Sequence, residues 1–309
     1  MKVKHPICIN LKRFEIPRSL GGVSSQTKPV EWIVGILEEF SRQQLPNECD
    51  YILLLPESLL ITANKWLMQH PQVPVSIGSQ SIIAEDVAIG GNFGAFTGMR
   101  TAKSMKILGC SWTMIGHSEE RKMYKTLLQE FDSTTMQDLN KVTRFINNRL
   151  QNEIRRALEA GLKTLVCIGE TLEERGDASY SEVKSVLDAQ LNGLFASFTN
   201  QELDGNVIIA YEPVWSIGPG RPIPTPEYLS MVSQIVHEYL SIYNLHTISL
   251  VYGGGLRLEN VEWISRIPGI EGGLVALTRF TGDIGFYPDE FISIVRKSQW
   301  VFLNREDKC

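Results

Sequence analysis

Short apolar runs alternate with longer amphipathic stretches along these 309 residues, and the number of runs decides the architecture. Residues 7–10, 51–55, 75–78, 112–116, 164–168, 207–211, 249–252 and 273–276 are rich in Val, Ile and Leu and are bounded by Gly, Pro, Asn or charged side chains. Unbroken runs this short read as strands covered on both faces. Between them, residues 30–43, 99–108, 139–160, 181–195 and 226–240 carry apolar side chains at helical spacing, and a further helix at 288–297 follows the last run. Repeated strand–helix units imply a parallel sheet, and eight of them imply an α/β fold closed as a (β/α)8 barrel, with residues 1–309 as one domain. The rival is a doubly wound open sheet. Its mark would be a Gly-x-Gly-x-x-Gly turn after the first strand, where this chain has Asn-Leu-Lys-Arg-Phe-Glu.

Composition narrows the partners. A net charge of −5 comes from 30 basic and 35 acidic residues, with no basic run able to follow a phosphate backbone, so nucleic acid is not an expected partner. Nor is a membrane, because no apolar stretch approaches the roughly 20 residues needed to span one. The opening Met-Lys-Val-Lys-His has no apolar signal core behind it, so export is not expected. Five scattered cysteines, Cys8, Cys49, Cys110, Cys167 and Cys309, form no close pairs, which argues against a disulfide framework and against a zinc site. A reducing cytosol is the expected compartment.

In a barrel of this kind, active sites gather where strands run out into the loops that lead to the helices. Asn10 and Lys12 leave the first strand, His117 and Glu119 follow the fourth, and Glu212 follows the sixth. After Glu212 comes Pro-Val-Trp-Ser-Ile-Gly-Pro-Gly-Arg-Pro, a loop stiff at both ends with glycines in its middle. A carboxylate under such a loop reads as a base beneath a lid. Taken alone, the strand-end Lys and Glu fit aldolase-type lysine chemistry as well as carboxylate acid–base chemistry.

Three segments carry a closer likeness: Asn10-Leu11-Lys12, Gly116-His117-Ser118-Glu119-Glu120-Arg121, and Ile208 through Thr225. In this order they resemble the Asn-x-Lys, Gly-His-Ser-Glu-x-Arg and base-and-lid signatures of the triosephosphate isomerase family. Gly94-Ala95-Phe96-Thr97-Gly98, Cys167-Ile168-Gly169-Glu170, Glu174-Arg175 and Tyr252-Gly253-Gly254 extend the likeness over residues 6 to about 296. The resemblance implies a TIM barrel in which Glu212 moves a proton between adjacent carbons and His117 polarises the carbonyl. It makes Lys12 the positive charge facing substrate and enediolate, Asn10 a hydrogen-bond donor to it, and Glu119 a member of the rim network. Backbone amides around Gly218, Gly254 and Gly255 would hold the phosphate of a small phosphorylated sugar. The implied site needs neither metal nor organic cofactor. The Gly94–Gly98 loop would reach a second subunit near its Asn-x-Lys segment, giving a symmetric homodimer.

The chain departs from that family at several points. Gly255 stands where a serine usually adds a hydroxyl to the phosphate site, and Ala276-Leu277 stands where two glycines usually offer close-approaching amides. Arg279, two residues on, is a candidate to bind phosphate bidentately in compensation. The loop 280–287 is longer than the family pattern, and residues 13–28 and 123–140 look like insertions on the catalytic side. Three functions follow from these features: isomerisation of a triose phosphate, isomerisation of a larger (four-carbon) ketose phosphate, or sugar-phosphate binding without catalysis.

Overall fold

In the computed structural model, which describes residues 4–132, 134, 138–218 and 220–301, eight parallel strands close into one barrel. They are β1 His5–Asn10, β2 Cys49–Leu55, β3 Val75–Ser79, β4 Trp112–Ile115, β5 Lys163–Ile168, β6 Val207–Tyr211, β7 Ser249–Tyr252 and β8 Gly272–Val275. Each strand pairs with its neighbour in sequence, and β8 returns to β1 through Ile7–Gly273 and Ile9–Val275. Alternation along each strand explains why the runs are apolar throughout. Cys8, Ile52, Leu54, Met114, Leu165 and Val251 fill the barrel, while Ile7, Ile9, Tyr51, Leu53 and Leu55 face the helices outside.

The helices are α1 Pro29–Gln43, α2 Glu57–Gln69, α3 Ala102–Ile107, α4 Ser118–Phe131, α5 Leu139–Glu159, α6 Leu172–Arg175, α7 Tyr180–Phe195, α8 Asn200–Leu203, α9 Pro226–Ile242, α10 Val261–Ile264 and α11 Pro288–Lys297. The helix expected at 99–108 begins later, because the Thr101 side chain accepts from Ser104 N and caps the helix there. β4 stops one residue early, since Gly116 turns the chain with φ +77°. α2 was not among the expected helices. The segment 123–140, read as an insertion on the catalytic side, is largely helical: α4 runs through Phe131 and α5 starts at Leu139, with residues 133 and 135–137 outside the described part. Among the described residues no helix is long and apolar enough to cross a membrane.

Candidate active site

At the end of β1, Asn10 is buried and Lys12 turns back with φ +43°, a left-handed backbone that an L side chain adopts only under constraint. That turn lets Lys12 N donate to Asn10 Oδ1 at 3.0 Å. Gln80, just past β3, donates through Nε2 to the same Oδ1 at 3.2 Å and to Lys12 O at 2.8 Å. Two donors on Oδ1 fix which way the Asn10 amide points, leaving Nδ2 beside Met114 Sδ at 3.8 Å. Lys12 Nζ crosses to Glu119 Oε1 at 2.6 Å. Gln80 was not anticipated, although it obeys the same strand-end rule that selected the others.

His117 is the N-cap of α4, with Nδ1 accepting from Glu119 N at 3.3 Å. A nitrogen that accepts an N–H carries no proton itself, so the imidazole proton sits on Nε2. Nε2 lies 3.1 Å from Glu212 Oε1. The other Glu212 oxygen accepts from Ser118 N at 3.0 Å. Glu212 itself is only 3% exposed. Behind them, Arg121 donates to Gly116 O, Cys167 O and Asn147 Oδ1, tying the ends of β4 and β5 to α5. Glu120 accepts from Gly116 N at 2.6 Å, and burial pushes its carboxyl up, as it does that of Glu153, which Tyr124 contacts at 2.7 Å.

The backbone of Glu212 is held from both sides. Its N–H donates to Ile168 O at 2.8 Å, and a Cβ on Gly253 would lie 3.1 Å from Glu212 Cγ. Gly169 comes closer still: a Cβ there would stand 1.8 Å from Glu212 O, so only glycine fits. Gln190 pins that glycine by bonding both its N–H and its carbonyl. The loop after β6 begins at Pro213, and its base is anchored at Glu170, whose Oε1 accepts from Tyr211, Trp215 and Tyr228, each at 2.7 Å. Burial raises the Glu170 carboxyl even against those three donors. Ser216 Oγ donates to Pro222 O at 2.6 Å across the loop, and Thr225 caps α9 beyond it. Gly218 is exposed with φ +117°, while Pro219 lies outside the described residues.

The loops expected to hold phosphate are less regular. Gly254 O accepts from Tyr252 Oη at 2.9 Å, and Gly255 O accepts from Asn260 Nδ2 at 3.1 Å, so both carbonyls are engaged. Neither Gly254 N nor Gly255 N has an acceptor among the described residues. Ala276 and Leu277 follow β8 with no positive φ, so they do not reproduce a glycine-only turn. Arg279 is already engaged: its guanidinium pairs with Glu290, with Nε at 2.9 Å, and lies over the Tyr287 ring at 3.9 Å. The candidate phosphate role for Arg279 therefore competes with a bound carboxylate. Residues 13–28 reach the 280–287 loop through Arg18, which bonds Asp283 at 3.3 Å and Tyr287 Oη at 3.1 Å.

The structure thus brings Asn10, Lys12, His117 and Glu119 to one cavity of about 260 Å³, with Glu212 reaching in from β6 to His117. Gly218, Gly254, Gly255, Ala276 and Leu277 do not line that cavity. The arrangement supplies a carboxylate able to accept a proton, a neutral N–H donor beside it, and a cation within one rim, which suits proton abstraction next to a carbonyl.

Comparison with known proteins agrees. The sequence model of the triosephosphate isomerase family matches residues 27–297. Curated relatives named triosephosphate isomerase include those of Chlorobium phaeobacteroides, 32% identical over 65% of this chain and 70% of that protein, and Syntrophotalea carbinolica, 30% identical over 72% and 75%. A third, from Alkaliphilus metalliredigens, is 28% identical over 89% of this chain and 97% of its own length. The crystal structure of triosephosphate isomerase from Bartonella henselae aligns with 96% of this chain and all of its own, at a TM-score of 0.67 and 23% identity, a likeness of fold. With that family's sequence pattern running through seven of the eight strands, β2 to β8, the chain belongs to the triosephosphate isomerase family of enzymes.

Proposed function

We propose that the chain interconverts dihydroxyacetone phosphate and glyceraldehyde 3-phosphate by proton transfer through an enediolate. The observation that carries this reading is the Glu212–His117 contact, in which a carboxylate meets the N–H of a neutral imidazole that lines one cavity with Lys12 and Asn10. For turnover, Glu212 leaves Ser118 N and His117 Nε2 and takes a proton from the carbon beside the carbonyl. The same proton returns to the neighbouring carbon, while His117 gives its Nε2 proton to the carbonyl oxygen and takes the hydroxyl proton from the other oxygen, so the protons balance and no external acid, base or electron carrier is consumed. As negative charge grows on the carbonyl oxygen, His117 Nε2–H and Lys12 Nζ stabilise it, and preorganised donors of this kind contribute more in a closed site than in water. The lid from Pro213 to Thr225 excludes solvent while the enediolate exists.

Phosphate is held chiefly by the amides of Gly218, Gly254 and Gly255, with Ala276 and Leu277 contributing backbone only. Losing a charge-assisted hydrogen bond at position 255 weakens binding by roughly 1.5–3 kcal/mol. Those same substitutions favour a second reading, a four-carbon ketose phosphate as the better substrate. Coupled assays of both trioses against a four-carbon ketose phosphate decide between them: a higher kcat/KM for the triose supports the first reading, and the reverse order overturns it. We also infer a symmetric dimer. The loop around Gly94–Gly98 holds Ile89, Phe93 and Met99 out in solvent, with Phe93 89% exposed, a load of apolar surface that a second copy would cover.

A further inference from the structure

A cavity of about 370 Å³ lies beside the lid, between α4, α5 and the loop that follows β5. Its wall includes Ser118, Lys122, Thr143, Ile146, Val214 and Ile217. None of Asn10, Lys12, His117, Glu212 or the amide-bearing Gly254 and Gly255 takes part, and Glu119 alone is shared with the candidate active-site cavity, so the two are neighbouring cavities. Its volume falls within the roughly 300–1,000 Å³ of small-molecule pockets, and its apolar side chains come from a helix and the lid.

The charges in the wall define the ligand. Arg121 is spent on Gly116 O, Cys167 O and Asn147 Oδ1; Lys125 pairs with Glu174 at 3.2 Å; Glu119 pairs with Lys12. Lys122 alone of these charged side chains has no ion-pair or hydrogen-bond partner among the described residues. This cation, which faces Glu119 without pairing to it, lies in one wall with Ile146, Val214 and Ile217 and complements a single negative charge on a short apolar body. We propose that this cavity is a regulatory site for a small amphipathic monoanion, of the aryl or alkyl carboxylate class, that holds the lid in the position described above.

The coupling follows from the walls. Val214 and Ile217 belong to the lid, and Ser118 N holds Glu212. On the isomerase reading proposed above, on which this part rests, substrate requires Glu212 to leave Ser118 and the lid to move. That motion withdraws Val214 and Ile217 from the ligand. The ligand therefore favours one lid position and substrate the other, and each lowers the affinity of the other by the same factor. Because both can bind at once, the opposition is finite.

The test uses 3-phenylpropionate as the probe on the full chain. Isothermal titration should give saturable binding at one site per chain, roughly threefold or more weaker in Lys122→Glu, which turns one exposed attraction into a repulsion. Thr143→Trp, which fills the cavity, should abolish it. The KM for dihydroxyacetone phosphate should rise with probe concentration and level off at a plateau. An absence of saturable binding, equal affinity in wild type and both variants, or a KM that rises without a plateau would each overturn the proposal. Probe binding without any triose-phosphate turnover would overturn the isomerase reading and leave the cavity standing; turnover without probe binding would do the reverse.

Discussion

Glu212 and Lys12 reach the same rim under different local constraints, and each gives a distinct expectation. Glu212 sits in ordinary backbone, bonded to Ser118 N and His117 Nε2. Glu212→Gln keeps the size and an acceptor for Ser118 but removes the base, so kcat should fall by at least the ~10²–10⁴ that a positioned general base supplies, while the melting temperature stays close to wild type. A smaller fall, measured on the better of the two candidate substrates, would move the role elsewhere. Lys12 is held at φ +43°. A non-glycine residue there costs roughly 1–2 kcal/mol, part of which glycine recovers against its greater unfolded-state entropy. Lys12→Gly should therefore be about 0.5–1 kcal/mol more stable than Lys12→Ala in urea unfolding. Both should lose affinity for an anionic substrate analogue alike. Equal stabilities would mean that the turn carries no strain, and undiminished affinity would make Lys12 a strand-end lysine only.

At the scale of elements, the site depends on how strand ends and helix starts press on one another. Gly169→Ala would place a methyl group 1.8 Å from Glu212 O, so β5 or the base must give way. Misplacing a catalytic group by about 1 Å can cost ~10²-fold, so kcat should drop by that order, with a lower melting temperature alongside. A variant with wild-type kcat would show that the loop can shift without moving the base. The start of α4 carries a second device. Burial lifts Glu120 from 4.5 to about 7 and Glu153 to about 9, the latter further raised by the Glu120 charge. Gly116 N and Arg121 oppose the rise at Glu120, Tyr124 and Arg149 oppose it at Glu153, and Arg100 and Glu85 also act on the pair. The folded state then binds more protons than the unfolded chain from pH 4.5 upward, so stability is full below that value and declines as pH rises through 7 to 9. Melting temperatures taken across that range should fall in wild type and fall less in Glu120→Gln; parallel slopes would exclude the pair as the cause. None of this pair was legible in the sequence, because Glu120 and Glu153 lie far apart in the chain and meet only when α4 and α5 pack together. The eight strands were legible because burial on both faces leaves unbroken apolar runs. Asn10, Lys12, His117 and Glu212 were legible because strand ends in such a barrel share one rim. The phosphate loops were not: at positions 276, 277 and 279 the outcome depends on backbone path and on Glu290, neither of which a local pattern encodes.

For the whole molecule, the exposed loop bearing Ile89, Phe93 and Met99 predicts self-association. Sedimentation velocity at micromolar concentration should give a dimer, and Phe93→Asp should shift it towards monomer without changing far-ultraviolet circular dichroism. A wild-type chain that stays monomeric would remove the dimer from the reading. The barrel also has a seam where the first strand meets the last, with β1 on β8, and Arg18 of one insertion bonding Asp283 and Tyr287 of the other. An exposed ion pair contributes only about 0–1 kcal/mol, so the seam owes its strength to strand pairing and to Trp300, which is buried and donates to Ile270 O at 3.0 Å. Its consequence lies in the order of events during synthesis. The partner of β1 on that side, β8, leaves the ribosome after the other seven strands, and contacts of such long sequence separation form late and slowly. Until then the nascent chain is an open sheet with two bare edges, and the surfaces of β1 that will meet β8 are the ones most in need of protection from other chains.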